Sequence, residues 1–515
     1  MLIAATISTT VQAEAPKRDI YLTPDIITDE TGRTMAIERG LIFVPENRRD
    51  PDTRMIPLHV FRAPALAPET GRAPFIYLEG GPGYVFLEEK PDKLDLINSL
   101  RQTRDFVYIG QRGNTDERGL VPNMAFRAPS APLDKPGSLK ETGRRLADSY
   151  ERALRRWNDA GVDMRGYDMD NAVDDIYETR AALGYDKIVL CGCSFGAQWS
   201  FAYIKRWPET VDRALLSGIE PLDFTYDSPD WLWATAARVA EEAEAYSAFA
   251  GRVPEGGLMK ALQTVIKRLD ETPVTVDVKT PNADDIVSIR LNGDDLRIGA
   301  LNIWALGGSF EQSNLARWPK FVLELYEGDY RMLALIALAD RTPQYDEQLF
   351  ILAMDNSLGI SPARDKKLRA DTASQWIAPN LWYEATRNVA GAPPEVDDDF
   401  RKDAPIDPPV LMFSGDFDLS TPIENARHAE KFLNNGKLIT VKRATHCPLW
   451  DYTLLRAQRP EETEAIYRFV DLDFEKTPAS SYFEKLPATI TLDPLEFASP
   501  ETPALYEQIL AQAGR

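Results

Sequence analysis

Short apolar segments alternate with amphipathic ones along the first 220 residues. The apolar segments have the length of buried strands and cover 40–44, 58–62, 75–78, 106–109, 187–190 and 214–217. Helical patterns lie between them at 139–157 and at 171–183, where Val173, Ile176 and Tyr177 recur at helical spacing. Alternation of this kind predicts an α/β fold, with a mostly parallel central sheet flanked by helices.

The strand pattern stops between residues 221 and 405. Helical runs replace it at 231–246, 258–269, 301–306, 313–326 and 331–339. One hairpin is predicted among them, from 274–278 and 286–291, with a turn following at 292–294. The segment is therefore predicted to be a large, mainly helical insertion.

The length of the chain also indicates more than one unit. Its 515 residues exceed the length at which a chain usually forms a single domain with one hydrophobic core. We expect a catalytic domain formed by 35–220 and 406–475, and a cap domain formed by 221–405 and inserted before the catalytic acid. A C-terminal extension from 476–515 has no assigned role.

A G-x-S-x-G motif at residues 192–196 follows the apolar segment 187–191 and precedes a predicted helix that begins at Ala197. A strand, this motif and a helix together are typical of a strained turn that exposes a serine hydroxyl. Glycines flank the turn because a Cβ there would crowd the strand and the helix. Ser194 is thus the predicted nucleophile, and an ordinary glycine-rich turn is the alternative.

A serine nucleophile requires an adjacent base, and the chain has only three histidines. His59 lies in an early strand-like segment, against the chain order of nucleophile, acid and base. His428 lies in a charged helical stretch, which indicates a surface position. His446 follows the predicted strand 437–441 across a short turn, so its imidazole can return over the strand ends. We predict that His446 is the base.

The orienting acid is expected at the end of another strand, between the nucleophile and the base. The apolar segment 409–414 leads into two aspartates, Asp416 and Asp418. Asp418 lies further into the loop, three residues before Thr421, where a helix is predicted to begin. Asp416 is more typical of a turn residue. We predict that Asp418 fixes the tautomer of the base, with Asp416 as the alternative.

An acyl-transfer site also needs hydrogen-bond donors for the oxyanion. The predicted strand 75–78 is followed after Glu79 by the glycine-rich turn 80–83, and glycines let backbone N–H groups approach a ligand closely. The residue after the nucleophile, Phe195, is expected to supply one N–H group, and Gly81 the other. A plain tight turn is the alternative for 80–83.

These motifs, in this order, resemble the prolyl iminopeptidase and tripeptidyl aminopeptidase family of serine peptidases, within the α/β-hydrolase superfamily. They are Gly80-Gly81-Pro82-Gly83, Gln111-Arg112-Gly113, Gly192-x-Ser194-x-Gly196, Gly415-x-x-Asp418-x-x-Thr421-Pro422 and His446. The resemblance covers about 35–220 and 405–475 and implies the α/β-hydrolase fold with a cap. Two residues depart from the family pattern: Glu79 replaces a usual histidine, and Gly110 replaces a common aspartate.

The resemblance implies an aminopeptidase that releases N-terminal proline or short peptides. In the family, cap carboxylates hold the free α-amino group of the substrate, and a buried ammonium does need a paired charge. Glu220, Asp223, Asp227 and Asp230 are candidates here, and Glu220 is our choice because it lies nearest the strand end. An esterase, lactonase or amidase with a small-molecule substrate is the alternative function. No metal or cofactor is expected.

Charge and hydropathy restrict partners and location. The net charge of -21 disfavours nucleic acid and anionic membrane surfaces as partners. The sequence contains no stretch of 18 apolar residues, so no transmembrane helix is predicted. Residues 1–13 resemble the end of a secretory signal with a cleavage site after Ala13, although a positive n-region is missing. We expect a periplasmic or secreted protein, with a cytoplasmic location as the alternative.

The chain contains three cysteines, two of which adjoin predicted catalytic residues. Cys191, Cys193 and Cys447 match neither a disulfide framework nor a metal-ligand pattern. Cys193 adjoins Ser194 and Cys447 adjoins His446, so both are expected near the assembled site. We predict that all three are buried small hydrophobic residues.

Overall fold

The computed structural model describes residues 18–68, 71–83, 91–114, 124–128, 130–280, 285–306, 311–343, 347–449, 452–474 and 476–513. The resemblance to a secretory signal at 1–13 lies outside the described residues. Within them, no helix is both long and apolar enough to cross a bilayer.

The strands are β1 (Ile20–Thr28), β2 (Thr34–Pro45), β3 (Met55–Ala63), β4 (Phe75–Leu78), β5 (Phe106–Ile109), β6 (Ala125–Phe126), β7 (Ile188–Cys193), β8 (Val211–Ser217), β9 (Val274–Lys279), β10 (Ile286–Leu291), β11 (Glu347–Gln348), β12 (Val410–Gly415), β13 (Gly436–Lys442) and β14 (Thr489–Thr491). All six strands predicted in the first 220 residues are therefore confirmed, as is the hairpin of β9 and β10.

The α-helices are α1 (Pro91–Leu100), α2 (Leu139–Asp159), α3 (Met169–Ala182), α4 (Phe195–Arg206), α5 (Pro229–Ala245), α6 (Gly257–Glu271), α7 (Gly293–Gly299), α8 (Glu311–Leu315), α9 (Trp318–Glu327), α10 (Arg331–Arg341), α11 (Leu349–Leu358), α12 (Pro362–Ala370), α13 (Leu381–Thr386), α14 (Asp398–Arg401), α15 (Ile423–Ala429), α16 (Tyr452–Gln458), α17 (Pro460–Asp471), α18 (Ala479–Phe483) and α19 (Leu505–Ala513). Short 3-10 helices lie at Met164–Gly166, Pro208–Thr210, Ser247–Phe249, Ile303–Leu306, Thr372–Gln375 and Glu430–Phe432.

A ten-stranded sheet forms the centre of the described chain, in the order β1-β2-β3-β5-β4-β7-β8-β12-β13-β14. Neighbouring strands from β5 to β14 are parallel, and β1, β2, β3 and β5 pair antiparallel. The predicted α/β fold with a mostly parallel sheet is confirmed. Every residue of β4, β5, β7 and β12 is buried, because helices cover both faces, and these strands accordingly appear as continuous apolar runs.

Two hydrophobic clusters pack against the two faces of this sheet, and a third fills the insertion. In β4, for example, Ile76 and Leu78 face one cluster, whereas Phe75 and Tyr77 face the other. The third cluster is built mainly from helices α5 to α10 and the hairpin of β9 and β10. The insertion therefore has a core of its own.

Two predictions within the insertion were wrong in detail. The single helical run at 313–326 is divided into α8 and α9, because Pro319 in the first turn of α9 cannot continue a preceding helix. The turn at 292–294 is the N-terminus of α7. The Asn292 side chain accepts from the backbone of Asp295, and the Asp295 side chain accepts from Asn292, which forms a capping box.

The sheet reaches beyond the predicted catalytic domain at both ends. Strand β1 pairs with β2, and β14 of the C-terminal extension pairs with β13. Further along the extension, Leu505 and Tyr506 of α19 are buried in the hydrophobic cluster of the insertion. The extension thus contributes to the sheet and to the core of the insertion.

Five neighbouring strands position the candidate site. The strands β4, β7, β8, β12 and β13 are adjacent and parallel, so the loops after their carboxyl ends meet at one edge of the sheet. In open α/β sheets this edge is where ligands bind.

Candidate active site

Ser194 lies in a sharp turn between β7 and α4. Its backbone has φ 58° and ψ −126°, a conformation rare for residues with a Cβ. A methyl group added at Gly192 would lie 2.3 Å from the carbonyl oxygen of Gly196, and one added at Gly196 would lie 2.0 Å from that of Leu78. Only glycine therefore fits on either side of Ser194, whose own side chain is partly exposed.

His446 and Asp418 are hydrogen-bonded to each other at the ends of β13 and β12. His446 Nδ1 lies 2.9 Å from Asp418 Oδ2. Asp418 is fully buried, and its other oxygen, Oδ1, accepts from the backbone N–H groups of Ser420 and Thr421, each at 2.8 Å. The hydroxyl of Thr421 also donates to Asp418 Oδ2 at 2.7 Å. The carboxylate is thus held rigidly against the imidazole.

The other residues considered for the acid and the base lie elsewhere. Asp416 accepts from the backbone N–H of Arg443 at 2.7 Å, whereas Asp418 is the aspartate bonded to His446. His59 is in the middle of β3, opposite Leu41. His428 is in α15, where its Nε2 lies 2.8 Å from Asp403.

Gly218, at the end of β8, connects the nucleophile turn to the loop of His446. Its carbonyl oxygen accepts from the backbone N–H of Ser194 at 3.0 Å. A methyl group added at Gly218 would lie 2.7 Å from Cys447 Sγ and 3.1 Å from His446 Cε1. Ser194 and the ring of His446 therefore pack against the same glycine.

The glycine-rich turn 80–83 lies against the nucleophile. A methyl group added at Gly80 would lie 3.2 Å from Ser194 Cβ. Gln111 braces the turn: its Oε1 accepts from the Gly83 N–H at 2.8 Å, and its Nε2 donates to the carbonyl of Gly80 at 3.1 Å. The motif Gln111-Arg112-Gly113 thus has a physical role that sequence reasoning did not assign.

The two predicted oxyanion donors lie next to this contact. Phe195 is the first residue of α4, and a first-turn N–H has no acceptor within its helix. Gly81 has φ 109°, which favours glycine, and it directly follows the residue that touches Ser194.

All three cysteines are buried as predicted, but the prediction that they form no disulfide was wrong for two of them. Cys193 and Cys447, which are 254 positions apart in sequence, form a disulfide with Cα atoms 5.9 Å apart. Cys191 is a free, buried thiol. Pairing depends on the proximity of β7 to the loop after β13, which cannot be read from the spacing of three cysteines.

A metal-ligating arrangement occurs at the same place. Cys193, Cys447 and His446 present ligand atoms within 4.8 Å of one another. Both sulfur atoms are joined in the disulfide, so neither is available as a thiolate ligand. Oxidised as it is here, the arrangement does not fit a metal ion.

A cluster of three carboxyl groups faces the site, formed by Glu220, Asp227 and Asp355. Burial raises the pKa of Glu220 well above its ordinary value, and the charges of Asp355, Asp227 and Asp418 raise it further. Burial also raises the pKa of Asp227 to about 7, although Arg364 opposes the shift. Because Asp418 raises both pKa values, this acidic cluster lies within electrostatic reach of the candidate triad.

Two of the four predicted amino-group ligands have structural partners instead. Asp223 accepts from the N–H and the hydroxyl of Ser361, each at 2.6 Å. Asp230 accepts from the N–H of Ala373 at 2.7 Å. Glu220, the preferred choice, is in the cluster together with Asp227.

Asp355 was missed by sequence reasoning because it lies in the apolar helix α11, far from any motif. It is 4% exposed, and its Oδ2 has no hydrogen-bond partner among the described residues. Burial raises its pKa well above the ordinary value, while a hydrogen bond from Tyr383 opposes that shift. The one indication in the sequence that Asp355 has a role was its position as a charged residue in an otherwise apolar helical segment.

A cavity of about 330 Å³ lies between the loop after β12 and the insertion. Asp227, Leu419 and Ser420 line it near the triad, and apolar residues such as Leu232 and Ile377 line its other side. A second cavity of about 260 Å³ shares Ile298, Asp340, Leu381 and Trp382 with the first. The two cavities therefore adjoin at these four residues.

Comparison with known proteins gives one family match. The model of a family described as TAP-like protein, an α/β-hydrolase family, matches residues 378–452, which include Asp418 and His446. No curated protein matches the sequence.

Solved structures are similar to this chain only at low identity. A proline iminopeptidase of Mycobacterium smegmatis is 14% identical, with a TM-score of 0.37 over 81% of this chain and 94% of that one. A serine hydrolase from Cycloclasticus zankles is 11% identical, with a TM-score of 0.33 over 89% and 99%. A Bacillus megaterium epoxide hydrolase is 13% identical, with a TM-score of 0.31 over 81% and 97%. These values carry no argument about activity.

Proposed function

We propose that this member of the α/β-hydrolase superfamily is a serine hydrolase that acts by acyl transfer, and that its substrates are peptides with a free N-terminus. The proposal of a serine hydrolase rests on the hydrogen bond between His446 Nδ1 and Asp418 Oδ2, together with the strained turn of Ser194. The proposal of substrates with a free N-terminus is supported by the acidic cluster of Glu220, Asp227 and Asp355.

In this proposal Ser194 attacks the carbonyl carbon of the substrate while His446 Nε2 takes the hydroxyl proton. Asp418 keeps the proton on Nδ1 and stabilises the imidazolium that forms, without becoming protonated itself. The imidazolium then gives its proton to the leaving amine. Water, activated by the same imidazole, hydrolyses the acyl-enzyme and restores Ser194.

Charge on the carbonyl oxygen is stabilised by backbone N–H groups. Phe195 is the proposed donor from the nucleophile turn, and Gly81 is the proposed donor from the glycine-rich turn, which Gln111 braces. A single donor of this kind contributes about 10²- to 10³-fold to kcat in related sites. Rigid bracing matters because the donors must be in place before charge develops.

The acidic cluster supports an ammonium-bearing substrate. Asp355 and Asp227 raise the pKa of Glu220, and Asp227 raises that of Asp355, so the three carboxyl groups cannot all ionise at low cost without a compensating cation. Arg364 opposes the shift at Asp227, but its guanidinium stacks 4.0 Å from the ring centroid of Phe224, and it also pairs electrostatically with Asp223 and Asp371. A protonated α-amino group would supply the missing positive charge.

Two adjoining cavities support short peptides as substrates. Cavities of about 330 and 260 Å³ are within the size range of small-ligand sites, and together they exceed what one amino acid requires. An enzyme that releases N-terminal proline or short peptides would use this space. The alternative, an esterase, lactonase or amidase, is favoured by the apolar lining at Leu232, Ile303 and Ile377.

The Ser194→Ala variant tests the hydrolase proposal. Removal of the nucleophile from a complete triad lowers kcat by about 10⁶-fold. The unfolding temperature of the variant is measured alongside, so that a misfolded protein is recognised. More than a tenth of wild-type turnover in a folded Ser194→Ala variant would refute the assignment.

A substrate panel separates the aminopeptidase from the esterase. Free and N-acylated aminoacyl and tripeptidyl anilides are compared with simple p-nitrophenyl esters. We expect hydrolysis of the free anilides and loss of activity after N-acylation, because an acylated nitrogen carries no charge. Equal rates on free and N-acylated anilides would exclude recognition of the amino group.

The Glu220→Gln variant tests the acidic cluster directly, with Asp230→Asn as the matched control. Asp230 is a nearby acid whose carboxylate already bonds the Ala373 N–H. We expect Glu220→Gln to raise KM for free anilides by about 10- to 100-fold, in line with a lost charge-assisted hydrogen bond. The control should keep the wild-type KM, and ester hydrolysis should be unaffected in both.

Export to the periplasm or the medium is also proposed. The sequence at 1–13 and the Cys193–Cys447 disulfide support it, because structural disulfides persist in oxidising compartments. Fractionation of cells that express the full chain, with activity assayed in each fraction, provides the test. Activity confined to the cytoplasm would contradict export.

A further inference from the structure

The Cys193–Cys447 disulfide lies directly beside the two residues of the proposed proton transfer. Cys193 precedes Ser194 at the end of β7, and Cys447 follows His446 in the loop after β13. We infer that Cys193 and Cys447 are positioning residues: their disulfide holds the base against the nucleophile, and hydrolysis requires the oxidised form. This inference rests on the function proposed above.

The loop that carries His446 is held by hydrogen bonds and, in its second half, by the burial of Cys447 and Leu449. Residues 443–449 contain no helix or strand. The first half is fixed by Ala444, whose carbonyl accepts from the N–H of Phe417 at 3.0 Å. In the second half, Leu449 N donates to the hydroxyl of Ser217 at 3.2 Å, and His446 bonds Asp418. The disulfide is the covalent restraint on this half.

Cys447 in the disulfide and Ser194 next to Cys193 both have an unfavourable backbone conformation. Cys447 has φ 53° and Ser194 has φ 58°, in the left-handed region that residues with a Cβ rarely adopt. Such conformations persist where the surrounding structure holds them, and they concentrate at functional sites. A bond between the two strained segments is a direct way to hold both.

Reduction would require the two sulfur atoms to move apart. Bonded sulfur atoms lie about 2.05 Å apart, whereas non-bonded heavy atoms approach to roughly 3.5–4 Å. The two sulfur atoms must then separate by about 1.5 Å. Cys447 Sγ already packs on Gly218, where an added methyl group would lie 2.7 Å away. Cys447 Sγ therefore cannot move towards Gly218, and movement away from it displaces the loop that carries His446.

The expected effect follows from the size of that displacement. Misplacement of a reacting group by about 1 Å costs on the order of 10²-fold in rate. Since the cleft and the acidic cluster are not attached to the disulfide, substrate binding should change less than turnover. Reduction is thus expected to lower kcat about 100-fold and to leave KM within about threefold.

The chemistry of the switch balances with a dithiol as co-reactant. The dithiol loses two electrons and two protons and closes to its own disulfide, and the protein disulfide becomes two thiols. In the oxidised structure the two sulfur atoms and His446 present ligand atoms within 4.8 Å of one another. Reduction would make both sulfur atoms available as metal ligands, so the assay includes a chelator. Any loss of activity then reflects geometry and not metal capture.

The first experiment compares the oxidised enzyme with the enzyme reduced by dithiothreitol, with EDTA in both. Active sites are counted with a fluorophosphonate that labels Ser194, and the unfolding temperature is measured in both states. We expect the 100-fold loss of kcat, with recovery after reoxidation. The Cys191→Ala variant is the matched control, because it lacks the free thiol of the same strand. It should behave like the wild type in both states.

The second experiment uses the Cys193→Ala/Cys447→Ala double variant. Its kcat, calculated per folded molecule and measured below its unfolding temperature, should equal the low kcat of the reduced enzyme. This value should be the same with and without dithiothreitol. A purely stabilising disulfide would lower the unfolding temperature and leave kcat per folded molecule unchanged. That result, or full activity of the completely reduced wild type, would overturn the inference.

The two proposals fail separately. Activity in a folded Ser194→Ala variant would refute the hydrolase mechanism itself. Loss of activity in Ser194→Ala together with full kcat in the reduced enzyme would leave the mechanism intact and refute only the role of the disulfide.

Discussion

Two aspartates only two residues apart have different roles at the end of β12. Asp418 is fully buried and accepts four hydrogen bonds, including the one that involves His446. Asp416 instead accepts from the backbone N–H of Arg443. The loop conformation, and not the chemistry of the side chains, separates the two.

This difference makes Asp418→Asn and Asp416→Asn a matched pair. Asp418→Asn preserves the shape of the side chain but permits the wrong imidazole tautomer, and we expect kcat to fall about 10⁴-fold. Asp416→Asn retains an acceptor oxygen for Arg443 and should keep kcat within a few fold. Steady-state kinetics of both variants on one substrate check the prediction. Equal losses in the two variants would contradict the assignment of the acid.

Residue identities at the site were only partly predictable. Scarcity of histidine and the strand-turn-helix context singled out Ser194 and His446, and the structure places both against Gly218. Asp355 was missed, since an aspartate in an apolar helix carries no motif. The pairing of Cys193 with Cys447 was missed because it depends on contact between distant segments.

At the level of elements, the site depends on close approach of three loops. The loops after β7, β8 and β13 meet at Gly218, which has φ 59°. A side chain there would collide with Cys447 and the ring of His446. Glycine at this position is therefore required both by the backbone conformation and by the packing of the two loops.

The Gly218→Ala variant tests that requirement, with Gly184→Ala as its control. Gly184 also has positive φ, at 79°, but an added methyl group would meet nothing within 4 Å. We expect Gly184→Ala to cost about 1 kcal/mol of stability, from the backbone alone. Gly218→Ala should cost about 2–4 kcal/mol, because overpacking adds to the strain, and should lower kcat at least tenfold. Denaturant titration and kinetics measure both effects.

At the scale of the whole molecule, buried carboxyl groups couple stability to pH. Burial raises the pKa of Asp227 to about 7 in the folded protein, against 3.8 ordinarily. The native state therefore holds more protons than the unfolded state between about pH 4 and pH 7. Stability from this group falls as the pH rises through that window and is lowest above pH 7.

The Asp227→Asn variant should weaken this dependence. Through this group, we expect the free energy of unfolding of the wild type to fall by on the order of 1–3 kcal/mol between pH 5 and pH 8, a value that the partial exposure of Asp227 reduces. The free energy of unfolding of the variant should fall correspondingly less, as measured by denaturant unfolding at both pH values. The control Asp230→Asn should retain the wild-type dependence. A steeper loss in Asp227→Asn than in the wild type would contradict the sign.

The C-terminal extension is predicted to stabilise the whole fold. Leu505 of α19 is fully buried in the cluster of the insertion, and Leu510 of the same helix is only partly buried. Leu505→Ala should cost about 2–5 kcal/mol, through lost burial and a cavity. Leu510→Ala should cost less than about 1 kcal/mol. Thermal or chemical unfolding of the two variants checks the difference.

The sequence by itself determined the α/β class, the order of strands and helices and the chemistry available at the strand ends. Those features depend on local periodicity and on short turns with strict steric needs, which neighbouring residues encode. Only the tertiary structure decided which loops meet at Gly218, which acids form a cluster and which cysteines pair. These outcomes depend on contacts between residues hundreds of positions apart, and such contacts exist only once the sheet has assembled.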